Sequence, residues 1–399
     1  MHKRMSRILA ALSLLTVMPA LALASPSRVQ AMNVPGDFIK DYTGIYTYLS
    51  GVGSVGNLVY AEPAGSGSNS NNQAMGAVLG NLWEGHLGTW GVNLRRIAPT
   101  LGSPLFGDPV TTSAFFNDPN VTGEAFDVLW GHKMGNGSLG LRVNRSFISN
   151  EVTGGTAEGN GNGQRNIWGV GGGYGFSMNS NTDVELSGLF QNRSFKGSSF
   201  GTPDAAADDG GGTFQFAGRA FMKAGGNLVL IPVAKAYSFD LSSVDAAAVK
   251  TDAKLSGWQF GLSGDWSIGS DDLFILGAQF VGNKLENQVG AAAKSEARET
   301  YYPNVFMGLE THVNSWLALR FGAQNAMMYS LKTETGSPVV TVTQKLHQFT
   351  FNMGAGVKVG SLAFDATLTP QYWTNPVGAT FNNGLGANPF PRVSATYSF

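Results

Sequence analysis

Residues 258–268 read Trp-Gln-Phe-Gly-Leu-Ser-Gly-Asp-Trp-Ser-Ile, and large apolar residues occupy every second position except Gly264. The same alternation recurs over residues 349–358 and 362–369. Because successive side chains of a strand point to opposite faces of its sheet, each stretch predicts a strand with two different faces. One face is apolar, and the other carries small or polar residues.

The segments between the predicted strands alternate in length along the chain. Short turns such as Gly135–Gly137 and Asn179–Asn181 fit tight hairpins. Long polar connections such as Glu151–Gln164 and Lys196–Gly212 follow the next strand. A soluble β-sandwich gives no reason for this alternation, whereas a transmembrane β-barrel has short periplasmic turns and long extracellular loops.

The composition excludes several other classes of protein. The 399 residues include 54 glycines, no cysteine and only 13% charged residues. The absence of cysteine excludes disulfides, thiolate zinc sites and cysteine nucleophiles. Beyond the N-terminus no run of about 18 apolar residues occurs, which excludes a multi-pass helical membrane protein.

The strand count predicts an all-β fold, a transmembrane antiparallel up-and-down β-barrel. Fourteen strands are predicted at 88–97, 124–133, 138–148, 165–177, 182–194, 213–223, 227–239, 255–267, 272–284, 300–313, 316–330, 345–358, 361–373 and 391–399. Two further strands at 55–62 and 73–82 make sixteen, which is the count that we favour; both counts are even, as bacterial barrels require. The alternative is fourteen strands with a longer N-terminal plug.

The first residues resemble an export signal. Three basic residues precede an apolar run from Ile8 to Leu23, which ends in Ala22-Leu23-Ala24. We therefore predict a signal peptide over 1–24, with a single membrane anchor as the alternative. Its removal would take away three basic residues and no acidic one. The mildly acidic remainder shows no basic patch, so we expect no nucleic-acid partner.

Residues 25–54 are not strand-like, and the predicted barrel spans 55–399. Phe38, Tyr42 and Leu49 fall at helical spacing after a start signal at residues 35–37. The segment is predicted to form a short helix inside or beneath the lumen. The alternative is a periplasmic tether.

The last residues form an alternating strand that ends in phenylalanine. One face carries Val393, Ala395, Tyr397 and Phe399. This ending resembles the assembly signal of Gram-negative outer-membrane β-barrels. The resemblance implies a location in the bacterial outer membrane, with outer-membrane lipids and the barrel-assembly machinery as partners.

A second resemblance lies at residues 60–65, which read Tyr-Ala-Glu-Pro-Ala-Gly. They are similar to the Asn-Pro-Ala-Gly segment near the N-terminal hatch of the long-chain fatty-acid transporter (FadL-type) family, with Glu62 in place of the asparagine. This resemblance implies a plugged barrel that passes hydrophobic molecules.

Most strand charges share the parity of the small residues, which is the parity of the lumen. These candidate lumen-lining residues are Arg142, Glu185, Arg219, Lys223, Asp265, Glu310, Arg320, Lys358, Asp365 and Arg392. Hairpin neighbours allow cross-strand ion pairs of Glu310 with Arg320 and of Lys358 with Asp365. The charges are interpreted either as pairs that stiffen the wall or as a ring that contacts solutes.

The sequence therefore predicts an outer-membrane channel for passive passage of small solutes, including hydrophobic ones if the FadL-type resemblance holds. No catalytic residue, metal site or cofactor is predicted. The glycine-rich Gly51–Gly56 lacks the preceding strand and following helix of a dinucleotide site. Two alternatives remain open. One is a barrel-embedded hydrolase that uses His86, His132, His312 or His347, and the other is a sealed barrel that presents loops for adhesion.

Overall fold

A computed structural model describes most of the chain. The described residues are 25–62, 74–80, 82, 85–95, 124–152, 161–196, 209–240, 242–244, 250–269, 271–335, 340–368 and 390–399. The predicted signal peptide and most of the predicted long loops lie outside these residues. Among the described residues, no α-helix is both long and apolar enough to cross a bilayer.

The described strands follow one another along the chain with few interruptions. They are β1 (Leu58–Glu62), β2 (Ala74–Leu79), β3 (Thr89–Arg95), β4 (Glu124–Met134), β5 (Gly137–Val152), β6 (Gly161–Asn179), β7 (Thr182–Lys196), β8 (Asp209–Lys223), β9 (Leu228–Asp240), β10 (Ser243–Val244), β11 (Lys250–Ile268), β12 (Asp272–Val289), β13 (Ser295–Asn314), β14 (Leu317–Thr335), β15 (Val340–Val359), β16 (Leu362–Leu368) and β17 (Arg392–Ser398).

Sixteen of these strands close into a barrel. Each pairs antiparallel with its neighbours in sequence, and β9 pairs with β11 across the two-residue strand β10. The ring closes where β1 pairs with β17 on one side and with β2 on the other. The predicted fold class is confirmed, and both additional strands, at 55–62 and 73–82, are present.

Several strands extend further than the alternation predicts. β5 runs to Val152 and β6 begins at Gly161, so part of the predicted loop Glu151–Gln164 is strand. β12 and β13 are joined by only Gly290–Lys294. The polar ends of these strands lack an apolar face because they lie beyond the apolar band of the barrel, and sequence alternation therefore does not detect them.

The outside of the barrel is apolar. Phe349, Phe260 and Phe216 expose 68%, 61% and 59% of their surfaces. Exposure of so many large apolar side chains is unusual for a protein surrounded by water and is typical of a surface that contacts lipid. The parity predicted to face outward on the last strand does so, since Tyr397 and Phe399 are exposed while Ser394 and Thr396 are buried.

Two bands of aromatic residues lie at the ends of the apolar surface. The indole N–H groups of Trp90 and Trp130, near the short turns, both donate to the carbonyl of Leu87 at 2.9 Å. Near the opposite end, Trp258 packs against Tyr302. The neighbouring Tyr301 does not belong to this band, since its hydroxyl donates to the inward-facing Glu299 at 2.9 Å.

Residues 25–54 lie inside the barrel, and we call residues 25–56 the plug. The plug begins with the helix α1 (Pro26–Met32), and 3-10 turns follow at Gly36–Phe38, Tyr42–Tyr46 and Leu49–Ser54. Nearly every residue from 25 to 50 is buried, Lys40 being exposed. The plug therefore contacts the wall on several sides.

The plug is not the single helix that the spacing of Phe38, Tyr42 and Leu49 predicts. The Asp41 carboxylate accepts bonds from the backbone of Thr43 and Gly44 and so starts a new turn. α1 is equally short because Ser25 caps its first turn and Asn33 ends it at a φ of 50°. Phe38, Tyr42 and Leu49 are therefore not on one face of a helix. Phe38 packs in one cluster with the wall, and Tyr42 and Leu49 pack in another.

The closed ladder predicts resistance to detergent. Because each of the sixteen strands is hydrogen-bonded on both sides, no free edge exists from which unfolding can begin. We expect unboiled protein in dodecyl sulfate to migrate differently from boiled protein on an electrophoresis gel. Identical migration of the two samples would contradict a closed barrel of this kind.

Candidate functional site

Glycines on the inner wall allow the plug backbone to approach the strands. A Cβ at Gly140 would collide with the carbonyl of Leu49, and one at Gly322 would collide with the carbonyl of Met32. The small inner face predicted from the sequence is thus where the plug is seated.

Apolar side chains of the plug complete the contact with the wall. Val29, Met32 and Phe38 form one buried cluster with wall residues that include Phe221 and Phe306. The rings of Phe38 and Phe306 lie 4.8 Å apart. A second buried cluster joins residues of the 3-10 turns to β1, β2 and β4, its members being Tyr42, Ile45, Tyr46, Leu49, Val52, Leu58, Tyr60, Val78 and Leu129.

A network of ion pairs holds α1. Arg28 donates to both carboxylate oxygens of Glu310 at 2.7 Å. Arg320 lies opposite Glu310 in the register and donates to it at 2.5 Å and to Asp365 at 2.6 Å. The hydroxyl of Ser25 donates to Asp365 at 2.7 Å. All of these side chains are almost fully buried, so the network fixes the start of the plug to β13, β14 and β16.

Other wall cations hold the 3-10 turns through backbone carbonyls. Arg219 donates to the carbonyls of Asp37 and Ile39 at 2.9 and 3.0 Å, while its other partner is Glu185 at 2.7 Å. The same guanidinium lies over the ring of Tyr48, with its Cζ 3.8 Å from the centre of the ring.

A similar arrangement occurs on β5, where Arg142 bridges plug and wall. It donates to the carbonyl of Tyr46 at 2.9 Å and pairs with Asp127 at 2.7 Å. On β9, Lys235 pairs with the plug carboxylate Asp37 at 2.7 Å.

The ten charges predicted for the lumen divide into three groups. Seven are buried on the inner wall, namely Arg142, Glu185, Arg219, Glu310, Arg320, Asp365 and Arg392. Asp265 is half-buried and accepts from Ser263, while Lys223 and Lys358 are exposed beside short turns.

The predicted pair of Lys358 with Asp365 is wrong. The two-residue turn at 360–361 places Lys358 opposite Ala363, and Asp365 lies opposite Gly356. Because Gly356 on β15 has no side chain, Arg320 on β14 reaches across it and donates to Asp365.

Sequence reasoning missed several partners of these charges. Asp127 and Lys235 lie at inward positions of predicted strands, so their parity could have identified them. Arg28 and Asp37 of the plug carry no local signal, because their partners lie far away in the sequence. Glu62, in the segment similar to the FadL-type hatch, pairs with Arg392 at 2.6 Å. Residues 63–65 of that segment lie outside the described residues.

A cavity of about 260 Å³ remains between the plug and the wall. Its apolar lining includes Tyr42, Ile45, Tyr48 and Leu58. Its charged lining consists of Lys40, Asp41, Glu185 and Arg219, and it extends to the end of the chain at Phe399. The cavity is therefore amphipathic and lies toward the short-turn end of the barrel.

The structure gives the surroundings of the motifs that resemble chemical sites. Residues 51–54 of the glycine-rich segment belong to the last 3-10 turn, which packs on β4 and β5. The ring of His132 stacks on Trp130, and Nδ1 of His312 lies 3.7 Å from Asp272. Within the described ranges, no cluster of three metal-ligating side chains occurs.

No family model matches this chain, and no curated protein matches its sequence. The FadL-type resemblance is therefore not confirmed. Among solved structures, the CymD monoaromatic hydrocarbon channel is similar over 95% of this chain and 98% of its own, with 10% identity and a TM-score of 0.40. CdiB from Escherichia coli is similar over 86% of this chain, with 11% identity and a TM-score of 0.43, and this chain spans 62% of its length. The copper transporter OprC is similar over 78% of this chain and 60% of its own, with 14% identity and a TM-score of 0.37. The closed barrel of this chain rests on its own strand register rather than on these likenesses.

Gly140→Val tests the glycine seat. The added side chain would overlap the Leu49 carbonyl and displace the last 3-10 turn, at a cost of about 1–3 kcal/mol or more. We expect a lower midpoint for guanidinium unfolding in micelles and a larger ion leak in liposomes. Gly172→Val is the matched control, because a Cβ there would meet only Leu141, at 3.8 Å. Equal effects of the two variants would contradict the seat.

Glu310→Gln tests the ion network around α1. The substitution removes the charge that Arg28 and Arg320 share, and loss of one partner of a buried pair costs about 3–5 kcal/mol. We expect that loss in the free energy of unfolding. Asp252→Asn is the control, since its pair with Lys250 is half-exposed and contributes about 0–1 kcal/mol. A loss at Glu310 no larger than the control's would show that the network does not fix the plug.

Proposed function

We propose that this chain is an outer-membrane channel for small solutes, closed at rest by its own N-terminal plug. The observation that carries the proposal is the plug itself, which fills the lumen near the short turns and leaves an amphipathic cavity against the wall. The apolar outer surface and the aromatic bands support placement in the outer membrane, where outer-membrane lipids and the barrel-assembly machinery would be its partners.

The plug favours a selective path over an open pore. A barrel of sixteen strands is wide enough for an aqueous channel when it is empty. Here the buried wall charges that we describe contact the plug or each other, so they do not form a ring around a water-filled pore. Solutes that pass must therefore use the cavity or move the plug.

The lining of the cavity supports small amphipathic solutes as cargo. Two tyrosine rings and two aliphatic side chains supply apolar contact, and the lining also carries charges of both signs, from Lys40 and Arg219 and from Asp41 and Glu185. A volume of about 260 Å³ exceeds the roughly 150 Å³ of an engineered cavity that binds benzene. The size thus favours molecules of one ring or a short chain. We further propose that the chain has no catalytic activity.

The plug equally favours a second function, in which the barrel is permanently sealed and presents its loops. The two candidates differ in whether any solute crosses. A variant that lacks residues 26–54 shows how the barrel behaves without its plug, because the remaining ring of sixteen strands still closes through β1 and β17.

Planar-bilayer conductance and liposome uptake test the proposal together. We expect small, intermittent conductance from the full chain and a large, steady conductance from the deletion variant, whose folding is checked by its gel migration. Steady conductance of the full chain would contradict a closing plug. Uptake is measured with short-chain fatty acids and with glucose.

Gly51→Leu tests whether the cavity is the path. Gly51 lines the cavity, and a Cβ there would meet only Ile45 at 3.6 Å, so leucine fills the cavity without displacing the plug. We expect liposomes that contain this variant to take up short-chain fatty acids more slowly than liposomes that contain the unmodified chain or the Gly172→Val control. Absence of uptake by the unmodified chain would instead favour the sealed barrel.

A further inference from the structure

Two rows of opposite charge lie side by side on the outer surface of β12, β13 and β14. In the register, Lys284 lies opposite Arg298. Two residues closer to the turn between β12 and β13, Glu286 lies opposite Glu296, and Glu296 lies opposite Glu334. We call the first set the cation row and the second set the acid row.

The cation row faces away from the lumen, just beyond the aromatic band. On the same face of β12 as Lys284, the ring of Phe280 packs 6.0 Å from that of Tyr302. The alternate residues Asn283 and Glu299 face inward and are 3% and 0% exposed. Lys284 is four positions after Phe280, which is about 13 Å along a strand. The cations therefore lie at the level of lipid headgroups rather than of acyl chains.

The order of the two rows is informative. Like charges directly opposite each other on paired strands are destabilising. The acid row offsets part of this cost, since Lys284 lies 2.8 Å from Glu286 and 3.0 Å from Glu296. Hydrogen bonds from Lys284 and Lys294, beyond the aromatic band, lower the pKa of Glu286 to about 2. The two rows could neutralise each other whichever of them lay nearer to the membrane. An anionic membrane surface, in contrast, favours the arrangement in which the cation row is the nearer one.

A groove lies where the cation row meets the aromatic band. Its volume is about 680 Å³. Phe214, Trp258 and Tyr302 line its apolar part. Its charged part consists of the three cations Lys254, Lys284 and Arg298 and of one carboxylate, Glu286. The outward-facing Gly282 has no side chain, so the indole of Trp258 lies across it and leaves the groove open. An aromatic floor beneath three cations matches a molecule with an apolar chain and an anionic head.

We propose that this groove binds a phosphorylated lipid from the leaflet on the long-loop side of the membrane. Its acyl chain packs on Trp258 and Tyr302, and its phosphate accepts charge-assisted hydrogen bonds from Lys284, Arg298 and Lys254. The site depends on the barrel lying in a membrane, and it is independent of whether any solute crosses the lumen.

Native mass spectrometry of the full chain in micelles tests the site. Three probes are titrated, namely diphosphorylated lipid A, phosphatidylcholine and inorganic phosphate. We expect lipid A to bind more tightly than phosphatidylcholine. The double variant Lys284→Gln/Arg298→Gln is expected to bind lipid A about 30-fold more weakly, because each lost charge contributes about 1 kcal/mol. Lys284→Arg with Arg298→Lys keeps both charges and is expected to retain binding.

The matched control is Lys133→Gln with Lys250→Gln, which removes two exposed charges outside the groove and is expected to bind lipid A as the unmodified chain does. Equal lipid A binding by the Lys284/Arg298 neutral variant and the unmodified chain would overturn the proposal. Displacement of lipid A by equimolar inorganic phosphate would also overturn it, because the site would then be a simple anion site. Unaltered gel migration of each variant shows that the barrel is intact.

Discussion

The close contact between the plug backbone and the inner wall is the constraint on which the rest of this structure depends. A ring of sixteen strands encloses more space than wall side chains fill. Here the space is filled by a second piece of chain, and Gly140 and Gly322 allow it to lie against the strands. Larger residues at these positions would hold the plug away from the wall. The arginine bonds and the apolar clusters would then lose their geometry.

The same constraint explains how the few charges of the chain are used. The plug forms only short helical turns, so some of its backbone carbonyls do not accept the hydrogen bond that a longer helix would supply. Arginines on the wall donate to these carbonyls instead. Arg219 and Arg142 each satisfy such carbonyls and are neutralised by a wall carboxylate. A buried polar group that lacks a partner is costly, so each short turn requires a donor from the wall.

The sequence was sufficient for the barrel and insufficient for the plug. Period-two alternation is a local property, so it located all sixteen strands and the inward position of Glu310 and Arg320. The contact of Arg28 with Glu310 joins residues 282 positions apart, and no local pattern encodes it. The plug lacks a regular period because its neighbours surround it. Lys358 and Asp365 were mispaired because parity gives the face of a residue, whereas the turn sets the register.

The position of the buried charges also bears on selectivity. A ring of lumen charges filters ions when it faces water and is free to exchange partners with a passing solute. Arg28, Arg320 and Glu310 are instead bonded to one another at 2.5–2.7 Å and shielded by the plug. Opening such a network to a solute would require separation of buried ion pairs. In the proposed channel, discrimination between solutes would therefore belong to the cavity lined by Tyr42 and Tyr48, where shape and apolar contact rather than net charge would decide which molecules fit.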